Sequence, residues 1–204
     1  MNEVVEVKKG RKFEQVLEGA RDVFLTDGFE GASVDTIARA AGVSKATLYS
    51  YFPDKRLLFM EVARCECGRQ ADEAVDLIDM NASPEVVLTE AATRMLEFFL
   101  SDFGMRVFRI CVAESDRFPD LGREFYDSGP GLVRGRIAGY LTKAVEKGQL
   151  KIDDLNLAAD QFIELCKADL FPRMVFSQAT EFSQAEKDRI ATGATETFLA
   201  RFGA

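Results

Sequence analysis

The chain has 204 residues, 47% of them hydrophobic, enough to bury a sizeable core in one large domain or two modest ones. Four cysteines, no histidine and no long apolar run argue for a soluble, cytoplasmic protein with reduced thiols. They argue against a disulfide scaffold, a membrane span or catalysis by histidine. The net charge of −8 speaks against a polyanionic partner until its location is read. Residues 1–60 hold nine basic and nine acidic side chains, so all the excess negative charge falls in the remaining 144 positions.

An arm over about residues 1–10 carries Lys8 and Lys9, followed by Arg11 and Lys12, and reads equally as a frayed tail or as a phosphate contact. From Arg11 to Asp27, Phe13, Val16, Leu17, Ala20 and Phe24 trace one helical stripe, which Gly28 stops. Two short helices follow, hinged at a glycine. Ser33 caps the first, Ile37, Ala38 and Ala41 recur at helical spacing, and Gly42 supplies the left-handed residue that ends it. Val43 plugs the turn and Ser44 caps the second helix, in which Lys45, Thr47, Tyr49, Ser50 and Tyr51 surround one inward anchor, Leu48. Phe52 and Pro53 close it. A helix this polar is built to touch something, and a helix-turn-helix makes duplex DNA the partner. Ser33, Ser44, Lys45, Ala46, Thr47, Tyr49, Tyr51 and Lys55 form the expected DNA-facing set. The bland alternative is a plain helical hairpin inside an all-helical core.

After Pro53 a long helix is expected from Asp54 to Ile78, linking a head (residues 1–53) to a body (54–204). Cys65 and Cys67 lie on it, two apart and so on different faces, which favours packing over metal or redox chemistry. Ser83, Pro84 and Glu85 form a helix entrance. Further helices are read over 84–100, 103–114, 131–147, 155–175 and 184–202, with breaks at Phe118-Pro119, Gly129-Pro130-Gly131 and Lys147-Gly148. No run alternates long enough for a strand, so the fold class is all-α. Gly129, Gly131 and Gly135 follow no strand and lack phosphate-loop spacing, and no pair of carboxylates stands out for catalysis. Neither a cofactor nor a metal is called for, and the chain reads as a non-enzyme.

The string Phe24, Gly28-Phe29, Ile37-Ala38, Ala41-Gly42-Val43-Ser44, Thr47-Leu48-Tyr49-Ser50-Tyr51-Phe52 and Lys55 resembles the DNA-binding domain of the TetR family of bacterial regulators, over about residues 11–61. The resemblance implies that the residues matching Lys45, Ala46, Thr47, Tyr49 and Lys55 meet DNA, the tyrosine and the later lysine chiefly at phosphates. Residues 108–171, with Ala113-Glu114, Arg117-Phe118-Pro119, Phe125-Tyr126 and Leu157-Ala158-Ala159-Asp160-Gln161-Phe162, resemble the body of AefR-like members. In TetR-like proteins that body binds a small molecule, which weakens DNA binding. Met95, Phe98, Phe99, Phe108, Cys111, Tyr126, Tyr140, Phe162 and Cys166 are the residues expected to line such an apolar pocket, with dry core as the alternative. The last two helices carry Leu157, Phe162, Leu165 and Cys166, and Ile190, Ala194, Phe198 and Phe202. Two such faces suggest a four-helix interface between two copies. The expected function is a homodimeric, effector-released repressor on a near-palindromic operator. A helical protein-binding adaptor and a ligand-independent DNA binder are its rivals.

Overall fold

A computed structural model describes residues 10–116 and 119–204. Residues 1–9, which include Lys8 and Lys9, and the pair Arg117 and Phe118 lie outside the described residues. The elements in chain order are α1 (Arg11–Gly31), α2 (Val34–Ala40), α3 (Lys45–Tyr51), α4 (Lys55–Leu77), α5 (Pro84–Phe99) and α6 (Asp102–Glu114). They continue as α7 (Pro119–Ser128), α8 (Pro130–Glu146), α9 (Leu155–Cys166), α10 (Leu170–Val175) and α11 (Gln184–Phe202). An isolated bridge between Leu150 and Gly203 is the only β pairing among the described residues, and the fold is all-α. No described helix is long and apolar enough to cross a membrane.

Two compact units arise. The first takes in residues up to Glu66 together with Arg109–Phe125, and the second takes in Cys67–Phe108 and Tyr126–Ala204. In the first, Phe13, Val16, Leu17, Ala20 and Phe24 are buried along one face of α1, as their spacing requires. Gly28 takes φ 69 and breaks the helical run, leaving one further turn to Gly31. Phe24 stands edge-on to Phe59 of α4 at 5.0 Å, and Phe13 stacks on Phe52 at 5.4 Å. Such rings contribute about 1.5–3 kcal/mol each when fully buried. Arg21 of α1 donates to the buried carboxylate of Glu66 at 2.8 Å, tying α1 to α4.

In the second unit α5 packs along α11, and α9 packs against α8, α11 and α5. Leu88, Leu96, Leu141, Phe162, Leu170 and Phe198 are fully buried at its centre. Ser83 caps α5 and Pro84 opens it, as the sequence predicts.

The structure differs from the expected elements at two points. The helix expected over 155–175 is two, because Pro172 cannot occupy the interior of a continuous helix without striking the carbonyl of Ala168. The chain breaks at residues 167–169, with Asp169 at φ 61, and Pro172 sits in the first turn of α10, where no intrahelical donor is missed. Residues 119–128, between the breaks expected at Phe118-Pro119 and Gly129-Pro130-Gly131, form a further helix opened by Pro119. The apolar residues of the last helices also pack within the unit itself. Phe162, Cys166, Ile190, Ala194 and Phe198 are buried in its core, while Leu165 and Phe202 are half-buried against it. Leu157 alone of those eight is exposed.

Candidate nucleic-acid interface

The head is built by local rules. Ser33 accepts a hydrogen bond from the Thr36 backbone N–H at 3.0 Å and fixes the start of α2. At its end Gly42 adopts φ 63, a conformation that favours glycine, and the Val43 N–H returns to the Ala38 carbonyl at 3.0 Å. Ser44 then repeats the cap, accepting from the Thr47 N–H at 3.1 Å while its hydroxyl pairs with that of Thr47 at 2.9 Å. The polypeptide therefore turns between α2 and α3 with its end groups satisfied by its own serines.

Leu48 is the one residue of α3 that is fully buried, at 1% exposure. Lys45, Ala46, Tyr49 and Ser50 are exposed, and Thr47 is half-buried. Tyr49 keeps 48% of its surface open to solvent. A seven-residue helix that gives up one side chain to the core gains little from burial, so its remaining surface is available for recognition. Ser33 and Ser44, also in the expected set, are exposed but spend their hydroxyls on the caps.

Two expected contact residues are placed differently from their neighbours. Tyr51 is half-buried, its ring edge-on to Phe13 at 5.7 Å. Lys55 is also half-buried: its ammonium donates to the carbonyls of Phe29 at 2.8 Å and Ala32 at 3.0 Å and lies 4.4 Å from the Phe29 ring centroid. It joins α4 to the turn between α1 and α2. Two residues that the sequence reading did not single out also shape the head. Gly19 brings α1 against Ala41, where a Cβ would lie 2.4 Å from the backbone nitrogen. Asp35 of α2 is ion-paired with Lys45 of α3. The glycine is visible in sequence as an otherwise costly residue inside a helix; the ion pair spans ten residues and has no local signature.

The nine residues expected around a ligand do not form one group. Cys111 belongs to the first unit, buried with its thiol 3.4 Å from the Met60 sulfur. The other eight lie in the second unit. Met95, Tyr140, Phe162 and Cys166 are part of its core, and burial pushes the Cys166 thiol up to about 12. The Tyr140 hydroxyl is buried without a hydrogen-bond partner among the described residues, and this burial raises its pKa. Phe99 and Phe108 are half-buried at the edge of that core, each edge-on to Phe171, and Phe98 packs on Phe99. Tyr126 is exposed. A cavity of about 160 Å³ in the first unit is lined by Phe52, Leu57, Met60, Glu61, Arg64, Glu124 and Phe125, none of them among the nine. Within it Glu61 grips Arg64 through two hydrogen bonds of 2.8 and 2.7 Å, which raises the guanidinium pKa.

Comparison with known proteins agrees with this head. Residues 16–62 match the family described as bacterial regulatory proteins, tetR family, and residues 86–204 match the AefR-like transcriptional repressor, C-terminal domain. The HTH-type transcriptional repressor AcnR of Corynebacterium glutamicum is 25% identical over 171 residues, 82% of this chain and 84% of its own. A Mesorhizobium loti protein solved as a TetR-family transcriptional regulator superposes with a TM-score of 0.82 at 28% identity, over 95% of this chain and 98% of its own. The flavonoid-responsive regulator FrrA superposes at 0.72 with 34% identity, over 96% and 98%.

Proposed function

The chain belongs to the TetR family of bacterial transcription regulators, and on that footing we propose that it is an effector-released repressor acting as a homodimer on a near-palindromic operator. The observation that carries the proposal is the exposed polar surface of α3, anchored by Leu48 alone. Residues 1–53 read DNA and residues 54–204 hold the effector and the second copy. In this reading Ala46, Thr47 and Tyr49 join Lys45 on the duplex, the phenol donating to a phosphate. One head covers too few base pairs for useful specificity, so two copies place their α3 helices in successive major grooves, about 34–36 Å apart.

The effector is a small apolar or amphipathic molecule, held by aromatic residues at the edge of the second unit's core such as Phe99 and Phe108. FrrA is named for its response to flavonoids, and at 34% identity over 96% of this chain it makes flat, oxygen-bearing aromatics the first compounds to try. Such a molecule relieves repression only insofar as it binds better to a conformation whose heads are wrongly spaced. Family membership places the chain with regulators rather than enzymes.

Selection of bound sequences from random duplex DNA tests the reading. A recovered inverted repeat, weakened binding at higher salt and an affinity about tenfold lower for Tyr49→Phe on all sequences are expected. Failure to enrich any sequence would overturn it. Screening flavonoids for release of the recovered site then tests the effector.

A further inference from the structure

Lys45 opens α3, and its ammonium is ion-paired with the carboxylate of Asp35 in the first turn of α2. The two side chains are 57% and 58% exposed, and the hairpin that carries them is closed without them. Its ends are fixed by the serine caps and by Gly42, and its interior by Ile37, Ala38 and Leu48. An exposed pair of this kind adds little to stability. A lysine in the first turn of α3 also has the sign that a helix start disfavours, and an acid on a surface meant for DNA repels phosphates. Asp35 has the sign that the start of α2 favours, so it is Lys45, and the placing of an acid beside it on this face, that the fold alone does not explain.

Together they have a use. Residues at the start of a recognition helix face base edges. In the major groove guanine presents two adjacent acceptors, N7 and O6, and its partner cytosine presents the N4 amino donor beside them. An ammonium donor held next to a carboxylate acceptor is the complement of that edge. An A·T pair places its donor between two acceptors and adds the thymine methyl, which suits the arrangement less well. We propose that Asp35 and Lys45 act as one reader of a G·C pair in each half-site, Lys45 donating to guanine and Asp35 accepting from the cytosine amino group.

The proposal rests on the DNA-binding reading above, and its test separates the two. Operator sequences are selected with the full chain and with Asp35→Asn, Lys45→Met and the double variant, and single base-pair replacements are then compared by competition at one salt concentration. The wild-type chain is expected to prefer one G·C pair per half-site over A·T by about tenfold or more. Both single variants should lose that preference at the same base pair, and the double variant should lose no more there than either single one. If the wild-type chain enriches no sequence, the DNA-binding reading fails. If it enriches an operator while the two variants change different positions, or none, the paired reader is wrong. If Asp35→Asn tightens binding to every sequence alike, Asp35 merely neutralises Lys45, and the paired reader is again wrong.

Discussion

Gly19 lies inside α1, where glycine costs about 1 kcal/mol relative to alanine, yet replacing it is expected to weaken the head. A Cβ at this position would stand 2.4 Å from the backbone nitrogen of Ala41, 2.6 Å from its Cα and 2.8 Å from its Cβ. Carbon contacts are comfortable at about 3.5–4.0 Å, so α1 and α2 would have to part by about 1 Å. The obstructing atoms are main chain or fixed directly to it, and no rotamer change can move them. Overpacking typically costs about 1–3 kcal/mol, and a backbone obstruction belongs at the upper end of that range. Subtracting the gain in helix propensity leaves Gly19→Ala about 1–2 kcal/mol less stable than the parent. Gly139, inside α8, supplies the control: a Cβ there meets nothing within 4 Å, so Gly139→Ala should gain about 0.5–1 kcal/mol. Urea unfolding should therefore move the two midpoints in opposite directions. Affinity for the selected operator should fall for Gly19→Ala alone, because Ala41 leads directly into the Gly42 turn that sets α3. A Gly19→Ala midpoint equal to or above the parent's would show that the two helices give way freely, and that their close approach does not fix the hairpin.

Lys55→Met removes two charge-assisted hydrogen bonds to the carbonyls of Phe29 and Ala32 and should cost about 1–3 kcal/mol in urea unfolding, with the salt dependence of operator binding unchanged. A salt slope reduced by about one, with stability intact, would instead make Lys55 a phosphate contact. At the start of α11, the backbone N–H of Ser183 and then its hydroxyl hold the Glu186 carboxyl below the usual carboxylate range, with Arg173 adding to the effect. A lowered pKa means that this stabilisation is present above the ordinary carboxylate value and is lost as pH falls through the folded one. The difference in unfolding midpoint between the parent and Glu186→Gln should therefore shrink between neutral pH and pH ~3, and a constant difference would contradict the assignment. Among the cysteines, Cys65 is exposed while Cys67, Cys111 and Cys166 are buried, so iodoacetamide at about pH 8 should label native protein at Cys65. Rapid modification of Cys166, whose thiol is pushed up to about 12, would show that the core opens on that timescale.

The parts of the head that the sequence made legible are those set by neighbours along the chain. A serine before a helix, a glycine at φ 63 and a stripe of Phe13, Val16, Leu17, Ala20 and Phe24 each act within a few residues, so spacing alone reveals them. The same locality explains the misses. The apolar period runs through residues 167–169 without a gap, and only Pro172, four residues beyond Ala168, marks the break between α9 and α10. Composition cannot distinguish a ring that fills a core, such as Phe162, from one at its edge, such as Phe108, because both are simply apolar residues on a helix. For the same reason the apolar residues of α11 suggest a second copy in sequence, although the same residues also pack in the subunit's own interior. Lys55 and Asp35 were the least readable of all, since their partners lie 23 and 26 residues away in one case and across a turn in the other.

Charge shows how a chain of net −8 can still serve a polyanion. Within the first unit, Arg21 is committed to Glu66, Arg56 to Asp54, Lys55 to two carbonyls and Lys45 to Asp35. Arg11, Lys12 and Arg39 are exposed cations that make no ion pair among the described residues. A head of this kind cannot rely on an undirected basic field, because much of its positive charge is neutralised within the fold. Affinity must then come from groups held where the duplex needs them, which is what the two serine caps, the Gly19–Ala41 approach and the Leu48 anchor accomplish. Under the proposed dimeric reading, a molecule that shifts the spacing of the two heads releases DNA without touching the reading surface.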